Sequence, residues 1–463
     1  MKNALCLFTL QLILTLASRT YAQQANSIAE KADEYLTAVT RLHRFNGTVL
    51  IAQRGTVLLQ KGYGWRNESA KTSNDTNSIF QLGSITKTFV GAAVLQLRNE
   101  GKLSVKDKLS QYLPDYPEGN RITLNDLFAH TSGIYDYKNF LYSSAGPDKV
   151  DFTRPVPKDK IVSMFSSKPL TTKPGGKEKY TNSGYFLLGL VIEKVTGKQF
   201  ETVVRERFLS PLQLTRTGFD FINLRQPAKT TGYTYEKDSV LVAAALIDST
   251  AGYAAGGMYS TVGDLYRWSR ALQTQQVLTP ENWKLALSPI GKTKWGYGWG
   301  VSTFKSPNDL VFQNGNLPGF GTYLMTFPNE EFDIIVLGNV DDASDLTSTE
   351  PIVRDLAFIS FGLPYQIPKN HKTIALSETV LRQYIGVYQE GTGKRKMTIA
   401  LDKGELFLQV TGQPKLEVYA ESETNFFLRV VDAQLTFQKA ATGQVAEIVV
   451  HQNGVDTHWK KVD

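Results

Sequence analysis

The first part of the chain alternates between one strand pair and a series of apolar helices. Two apolar-rich runs, Thr48–Ala52 and Thr56–Leu59, flank Arg54-Gly55. Because glycine accepts the positive φ of a tight turn, this pattern predicts a β-hairpin over Asn46–Gly64. Apolar residues at helical spacing then predict four helices. They are Ser84–Glu100, Thr123–Phe128, Gly184–Val195 and Tyr266–Leu272.

Strand patterns return after the helices. Short runs rich in β-forming residues, bounded by Gly, Pro and Asn, are Gly296–Thr303, Thr322–Phe327 and Phe332–Asn339. A hairpin therefore comes early, helices fill the middle and strands come late. We expect an α+β fold in which one sheet is built from both ends of the segment and helices pack on it.

A second, smaller domain is expected after a linker. Phe361–Ala375 contains Gly362, Pro364 and Pro368 and has no apolar period, which is typical of a linker. Seven or eight short alternating strands then predict a small antiparallel barrel or sandwich. They include Met397–Leu401, Leu406–Val410, Leu416–Ala420, Phe426–Val430, Leu435–Phe437 and Ile448–Val450, with hairpin turns at Asp402–Gly404 and Asn453-Gly454.

Composition excludes several classes of protein. Of the 463 residues, 41% are hydrophobic and 21% are charged, which excludes a largely disordered chain. The net charge of +7 is spread along the chain without a basic run, so we expect no nucleic-acid partner. The only cysteine is Cys6, so the body of the chain has neither an intramolecular disulfide nor a cysteine nucleophile.

The N-terminus has the pattern of a signal peptide. Lys2 precedes the apolar run Ala4–Ala17, and Thr20-Tyr21-Ala22 offers small residues to a signal peptidase. We expect cleavage after Ala22, and a periplasmic or secreted protein with no stable membrane insertion. The alternative is an uncleaved membrane anchor, although the apolar run is short for a span that needs about 20 residues.

Gly83–Lys87, with the sequence GSITK, is the sharpest local sign of chemistry. If Ser84 opens a helix, Lys87 lies three residues on and on the same face. A lysine whose ammonium pKa is lowered can take the proton of a serine hydroxyl and activate it as a nucleophile. The alternative is an ordinary serine N-cap, because this pattern is also frequent by chance.

Two further polar groups lie far along the chain. On an extended segment, the tyrosine and asparagine of Tyr180–Asn182 would point the same way, while the alternative is the cap of the following helix. Gln313–Gly315 precedes Asn316–Phe320. A glycine in a strand at this place would let a substrate backbone approach closely, while the alternative is a plain Asn-Gly turn.

Together the three groups resemble the serine hydrolases related to class C β-lactamases and DD-peptidases, the penicillin-binding-protein-like family. Those proteins carry S-x-x-K, then Y-x-N, then K-[ST]-G or H-x-G on an edge strand. Here Ser84, Tyr180 and Gln313 begin the corresponding groups in the same order. Other matching segments are Gly101–Ser104, Leu127–Gly133, Pro211–Thr217, Ala255–Thr261, Tyr297–Gly300 and Pro318–Phe320. The resemblance spans about residues 30–360 and implies an antiparallel sheet flanked by helices.

The resemblance also implies roles for the site residues. Ser84 would attack a carbonyl and form an acyl-enzyme, and Lys87 and Tyr180 would share the general acid and base work. Asn182 would position Lys87 and the substrate. The substrate-binding group would be Asn182 with Gln313, Asn314, Gly315 and Asn316, and the backbone N–H groups of Ser84 and Asn316 would form an oxyanion hole. No metal and no cofactor is implied. The expected partner is a small-molecule or peptide ester or amide.

Gln313 departs from the family, which has Lys or His at this place. Gln carries no charge, so the departure favours uncharged esters or amides over substrates that carry a carboxylate. A second hypothesis is a catalytically weak sensor or binding protein on the same fold. His130 and Ser132 could suggest a Ser-His pair, but the family places this segment as scaffold.

The expected domains are a signal peptide over 1–22, the hydrolase domain over 23–362, a linker over 363–375 and a barrel domain over 376–463. The last segment resembles the lipocalin-like barrel that follows this hydrolase domain in some members. The matching stretches are Tyr384–Tyr388, Leu406–Leu408, Phe426-Phe427, Leu435–Phe437 and His451–Gly454. The barrel would cover the cleft, mediate oligomers or bind a ligand of its own, or else only stabilise the fold.

Overall fold

The computed structural model describes residues 23–141, 150–236, 240–306, 309–341, 348–391, 393, 395–452 and 454–462. The predicted signal peptide therefore lies outside the described residues. The chain divides into two compact units. The sheet unit is Phe45–Asp342, and the barrel unit combines Met1–Arg44 with Ala343–Asp463. Helix α1, over 23–41, is the first described element and belongs to the barrel unit.

The sheet unit is built around six antiparallel strands in the order β2-β1-β12-β11-β10-β9. The strands of the whole unit, which include three further two-stranded sheets, are β1 (Gly47–Gln53), β2 (Thr56–Tyr63), β3 (Trp65–Asn67), β4 (Thr72–Ser73), β5 (Phe80–Gln81), β6 (Tyr233–Glu236), β7 (Val240–Ala243), β8 (Tyr259–Ser260), β9 (Gly300–Ser302), β10 (Leu310–Leu317), β11 (Phe320–Phe327) and β12 (Phe332–Gly338). Early β1 pairs with late β12 from Gly47↔Gly338 to Gln53↔Phe332. The prediction of one sheet built from both ends of the segment is therefore confirmed.

Helices make up much of the rest of the unit. They are α2 (Thr86–Asn99), α3 (Leu124–Phe128), α4 (Lys138–Leu141), α5 (Lys158–Ser166), α6 (Asn182–Thr196), α7 (Phe200–Val204), α8 (Ser249–Gly256), α9 (Val262–Gln273) and α10 (Pro280–Ala286). Helix α9 packs on β1 and β12. In the core, Phe89 of α2 stacks on Trp268 of α9 with ring centroids 4.0 Å apart. Phe128 meets the edge of Tyr185 of α6 at 5.6 Å. The apolar faces that predict the helices are thus the faces that build the core.

Local chemistry explains where several elements begin and end. The turn between β1 and β2 has φ +49° at Arg54 and +82° at Gly55, so both residues of the predicted turn adopt the left-handed conformation. Helix α6 begins behind Thr181, whose hydroxyl accepts the Ser183 backbone N–H, and it ends at Gly197 with φ +68°. This helix therefore extends beyond both predicted ends.

Two local predictions need correction, and the apolar pattern misses one strand. The helix predicted from Ser84 begins at Thr86, because Gly83–Ile85 forms a 3-10 turn. The strand predicted over Gly296–Thr303 is confined to β9, since Gly298, with φ +91°, lies in the loop before it. β10 is a full strand that the apolar pattern misses, because polar residues occupy its centre.

β10 runs directly past the 3-10 turn that carries Ser84. A Cβ built on Gly315 would lie 1.9 Å from the Leu82 carbonyl oxygen, and one built on Gly83 would lie 3.0 Å from the Asn316 nitrogen. The Gly83 backbone also has φ +55°, which residues with a Cβ rarely adopt. Two glycines therefore let the backbones of the strand and the turn touch.

The barrel unit contains a closed barrel of eight antiparallel strands. The strands are β13 (Gly386–Glu390), β14 (Lys396–Asp402), β15 (Glu405–Val410), β16 (Leu416–Ala420), β17 (Asn425–Phe427), β18 (Ala433–Lys439), β19 (Val445–Gln452) and β20 (Val455–Lys461), and helices α11 (Thr349–Ser360) and α12 (Glu378–Leu381) precede them. Tyr388, Phe437 and Trp459 are among the buried residues of its core. The predicted barrel is confirmed, and its interior is filled by side chains, as is usual for eight strands.

Two details complete the barrel unit. Gln452 pairs with Val455, so β19 and β20 form the hairpin expected here, although Asn453 of its turn lies outside the described residues. The Tyr35 hydroxyl of α1 donates to Asp355 of α11 at 2.9 Å, which ties the first helix of the unit to α11. Across the described ranges, no helix is long and apolar enough to cross a membrane.

Replacing Gly315 by Ala should destabilise the sheet unit. The added Cβ would meet backbone at 1.9 Å, and overpacking of this kind costs about 1–3 kcal/mol. We expect a lower denaturant midpoint for Gly315→Ala. Gly263→Ala in α9 is the matched control, because its Cβ would have 3.5 Å of space and Ala favours helix by up to about 1 kcal/mol. Equal midpoints for both variants would contradict the close backbone contact.

Candidate active site

Ser84 and Lys87 lie at the entrance of helix α2. Ser84 is partly exposed in the 3-10 turn, and Lys87 lies in the first turn of α2 with its side chain fully buried. The Lys87 Nζ lies 2.8 Å from the Ser84 Oγ. The sequence prediction that the two side chains share one face is therefore matched by their contact, although the helix begins two residues later than expected.

Among the described residues, Lys87 has three hydrogen-bond partners. Besides Ser84 Oγ, its Nζ contacts the Asn182 Oδ1 at 2.9 Å and the Ala255 carbonyl oxygen at 2.6 Å. Both carbonyl oxygens can only accept a hydrogen bond. A neutral amine would therefore direct its two N–H groups to these oxygens. Its lone pair would then face Ser84, where it can receive the hydroxyl proton.

The burial of Lys87 favours this neutral form. Loss of hydration lowers the pKa of Lys87 to about 7, since an ammonium is costly to bury. The negative charge of Asp136 raises this pKa again in part, and the positive charge of Lys138 lowers it. A large fraction of Lys87 is therefore neutral near pH 7, as a general base requires.

Tyr180 approaches Ser84 from the other side. Its hydroxyl donates to the Ser84 Oγ at 2.9 Å. Although 36% of the residue is exposed, the loss of water around it raises the pKa of Tyr180 above the ordinary value, and the hydrogen bond with Ser84 lowers it in part. The phenol is therefore the stable form near neutral pH, and it can give a proton to a leaving group.

His130 supports Tyr180 without contacting Ser84. Its ring lies against the Tyr180 ring with centroids 4.2 Å apart, and its Nδ1 accepts the Thr181 backbone N–H at 3.2 Å. Burial holds the pKa of His130 well below its usual range, so the ring is neutral. Ser132 is buried, and its Oγ accepts the Ile134 backbone N–H. This geometry agrees with the scaffold role expected for the segment.

Asn182 is placed differently from the sequence expectation. It is the first residue of α6 and not part of an extended segment, and Thr181 is the cap of the helix. Its side chain nevertheless reaches Lys87, while Tyr180 reaches Ser84. The tyrosine and the asparagine thus contact neighbouring atoms because a helix begins between them.

The third polar group lies on β10, where its side chains split between two faces. Gln313 is 1% exposed, and its Nε2 lies 3.4 Å from the Gly298 carbonyl oxygen. Asn314 and Asn316 are exposed on the opposite face, and the Asn316 amide donates to Asp341. Among the described residues, no hydrogen bond joins these three side chains to Ser84, Lys87 or Tyr180.

The backbone of β10, by contrast, does reach the site. β9 pairs with β10 only as far as Phe312, so along residues 313–317 no described strand pairs with this edge of β10. The Asn316 nitrogen lies beside Gly83, next to the serine. The predicted contribution of Gly315 and Asn316 is therefore one of backbone approach, and the predicted side-chain roles of Gln313 and Asn314 stay predictions.

Two residues of the site were missed by sequence reasoning. Ala255 belongs to a segment that resembles the family. Only its carbonyl oxygen contacts Lys87, and an alanine side chain does not indicate such a backbone contact. Helix α8 is interrupted at Tyr253, with φ +40° and ψ −131°, two residues before this carbonyl. Such strained backbone costs about 1–3 kcal/mol and is found at functional sites. Asp136, which accepts from the Asn182 Nδ2 at 3.2 Å, is the second missed residue.

In this geometry, a base and an acid both contact the hydroxyl of one serine. No described group of three or more His, Cys, Asp or Glu side chains is placed to hold a metal ion. Comparisons with known proteins agree with this arrangement of a serine, a base and an acid. Residues 29–358 match the beta-lactamase family, and residues 370–461 match a domain of unknown function, DUF3471.

The chain also resembles individual proteins along most of its length. It is 28% identical to penicillin-binding protein 4* of Bacillus subtilis (strain 168), over 85% of this chain and 90% of that protein. An octameric penicillin-binding protein homologue from Pyrococcus abyssi has the same fold, with a TM-score of 0.65, 21% identity, and 93% and 99% of the two chains covered.

A D-amino acid amidase from Ochrobactrum anthropi SV3 shares the fold of part of the chain. Its TM-score is 0.61 at 18% identity, with 72% of this chain and 98% of that chain covered. The family match covers most of the chain and includes Ser84, Lys87 and Tyr180. The chain therefore belongs to the beta-lactamase family of penicillin-binding-protein-like serine hydrolases.

Proposed function

We propose that the protein is an exported serine hydrolase that acts through an acyl-enzyme on uncharged esters or amides. One observation carries the proposal: the Lys87 Nζ and the Tyr180 hydroxyl converge on the Ser84 Oγ, at 2.8 and 2.9 Å. A nucleophile within hydrogen-bond reach of both a base and an acid is what acyl transfer needs. The signal-peptide pattern of the first 22 residues supports export.

Acylation begins with the proton of Ser84. The Ser84 Oγ forms a bond to the substrate carbonyl carbon while its proton passes to the neutral amine of Lys87. The resulting oxyanion lies near the backbone of the 3-10 turn and of β10, where N–H groups of Ser84 and Asn316 are proposed to hold it. The partial positive charge at the start of α2 adds to this stabilisation.

Collapse of the intermediate then needs an acid. The Tyr180 phenol gives its proton to the leaving alcohol or amine, and the proton on Lys87 then restores the phenol. Water then attacks the acyl-enzyme, and the neutral amine of Lys87 takes a proton from this water. The acid product leaves, and Ser84 regains its hydroxyl proton.

The substrate class is proposed from Gln313 and from the relatives. Gln313 puts no charge beside the site where related proteins carry Lys or His, so a substrate carboxylate would find no fixed cation there. A D-amino acid amidase and a D-stereospecific amidohydrolase from Streptomyces are among the proteins of the same fold, which favours amides as well as esters. A weak β-lactamase-like activity is the least favoured member of this class.

A catalytically weak sensor is the second candidate, and the neutral Gln313 is the observation that favours it. Binding alone, however, does not require a buried lysine held against a serine, and this arrangement is costly to keep. The hydrolase is therefore the better supported of the two.

Ser84→Ala should abolish turnover of a short-chain p-nitrophenyl ester by the mature protein. Because Ser84 is partly exposed and a neutral Lys87 keeps its partners Asn182 and Ala255, the melting temperature should change by only a few degrees. Ser163→Ala, an exposed serine of α5, is the matched control and should retain full activity. Full turnover by Ser84→Ala would contradict the proposal.

The pH dependence of stability should report the neutral form of Lys87. The folded chain holds the pKa of Lys87 near 7, whereas unfolding restores an ordinary lysine near 10.5. Between these pH values the unfolded chain binds more protons, so the stability contributed by Lys87 rises with pH by at most about 1.4 kcal/mol per pH unit.

The measurement is denaturant unfolding of the wild type and of Lys87→Met at several evenly spaced pH values from about 6 to 10. The difference in unfolding free energy between the two proteins should grow with pH in favour of the wild type. Parallel curves would mean that the folded chain does not lower the pKa of Lys87, and that this amine is charged near pH 7.

Gln313→Lys should shift specificity toward substrates with a carboxylate. A charged hydrogen bond contributes about 1.5–3 kcal/mol, so kcat/KM for a carboxylate-bearing ester should rise about tenfold relative to a matched neutral ester. Gln313→His at low pH should act in the same direction. Asn314→Lys adds the same charge on the opposite, exposed face and serves as control. Equal changes in kcat/KM for both esters in Gln313→Lys would show that residue 313 does not interact with the substrate carboxylate.

A further inference from the structure

We propose that Asp136 is a positioning residue of this site: its carboxylate fixes the amide of Asn182 so that the carbonyl oxygen, and not the NH₂ group, faces Lys87. The effect of this orientation on catalysis rests on the proposed function, whereas the orientation itself does not. Asp136 lies in the segment between α3 and α4, and nothing in its sequence surroundings marks it. Its contacts, however, connect it to Lys87 through a single side chain.

The contacts of Asp136 define one orientation of Asn182. The Asn182 Nδ2 donates to the Asp136 Oδ2 at 3.2 Å, and the Asn182 backbone N–H is a second donor to this carboxylate. The Lys138 backbone N–H donates to the Oδ1 at 3.0 Å. The carboxylate is therefore held from two sides, at the start of α6, where the helix dipole favours a negative charge.

The two ends of the Asn182 amide are chemically different, and this difference matters at Lys87. A carboxylate can only accept, so the NH₂ end must face Asp136 and the oxygen must face the Lys87 Nζ, 2.9 Å away. If the amide were reversed, its NH₂ group would compete with Ser84 for the lone pair of a neutral Lys87. Asp136 thus keeps that lone pair available for the Ser84 proton.

Asp136 also contributes charge to the surroundings of Lys87. Its electrostatic effect raises the pKa of Lys87, against burial and against Lys138, which lower it. The other ionisable groups around the amine are Tyr180 and Tyr185, whose rings lie 5.3 Å from Nζ, and His130, which burial keeps neutral. Burial raises the pKa of Asp136 itself, while its backbone donors and Lys87 lower it. Among these neighbours, Asp136 is the negative charge that opposes the deprotonation of Lys87.

Two variants separate orientation from charge. Asp136→Asn removes the charge but can still accept from Asn182, so the acid limb of the kcat/KM profile should move to lower pH with a modest loss at the plateau. Asp136→Leu removes the acceptor as well, and its plateau should fall about a further tenfold, the effect of leaving the Asn182 NH₂ group without its acceptor. Asp136→Glu keeps the charge, so its acid limb should stay at the pH of the wild type.

Asp115→Asn is the matched control, because it removes an exposed aspartate of the same unit. Its plateau and its acid limb should both equal those of the wild type. A purely structural role for Asp136 would lower the fraction of active protein but would leave the acid limb in place. An acid limb that stays at the wild-type pH in both Asp136→Asn and Asp136→Leu, or equal plateaus for these two variants, would therefore overturn the proposal.

A second measurement does not depend on turnover. The pH window over which Lys87 adds stability, obtained by comparing each protein with its own Lys87→Met variant, should move to lower pH in the Asp136→Asn background. An unchanged window would overturn the coupling between Asp136 and Lys87. Absence of turnover in the wild type would instead count against the proposed function, so the two failures can be told apart.

Discussion

The burial of one lysine amine is the constraint on which the site depends. Lys87 is out of contact with water, so each of its N–H groups needs a partner within the protein. The partners come from three separate places: the turn that carries Ser84, the first residue of α6, and the interrupted end of α8. These elements must therefore be held together to within hydrogen-bond distance, and the packing of α2, α6 and α8 provides that. The same burial that makes the amine costly also makes it a base near neutral pH.

Close backbone packing places the remaining part of the site. β10 can pass the turn of Ser84 only because Gly315 and Gly83 carry no side chain at the point of contact. This contact brings the backbone of Asn316 beside the serine, while no described hydrogen bond joins the side chains of Gln313 or Asn316 to Ser84. The sheet therefore contributes backbone, whereas Lys87 comes from α2, Asn182 from α6 and Tyr180 from the segment before α6. The barrel unit has a core of its own, which is filled by aliphatic and aromatic side chains.

Much of the fold could be predicted from the sequence, because its apolar pattern is simple. The β1–β2 hairpin, the apolar helices α2, α6 and α9 and most barrel strands follow from periodicity and turn residues. β10 could not be found in this way, since its centre is polar, and neither could the kink of α8, which no residue type announces. In the site, Ser84, Lys87, Tyr180 and Asn182 are side chains in recognisable spacing. Ala255 acts through its backbone and Asp136 through another side chain, and such roles become visible only in three dimensions.

The central claim is that Ser84 carries the acyl group, and trapping that intermediate tests it most directly. The mature protein would be mixed with an activated ester, quenched with acid within the first turnovers, digested, and analysed by mass spectrometry. One acyl group is expected on the peptide that contains Ser84, and none is expected in Ser84→Ala treated in the same way. An acyl group on a different peptide, or turnover without any acylated peptide in the quenched sample, would contradict it.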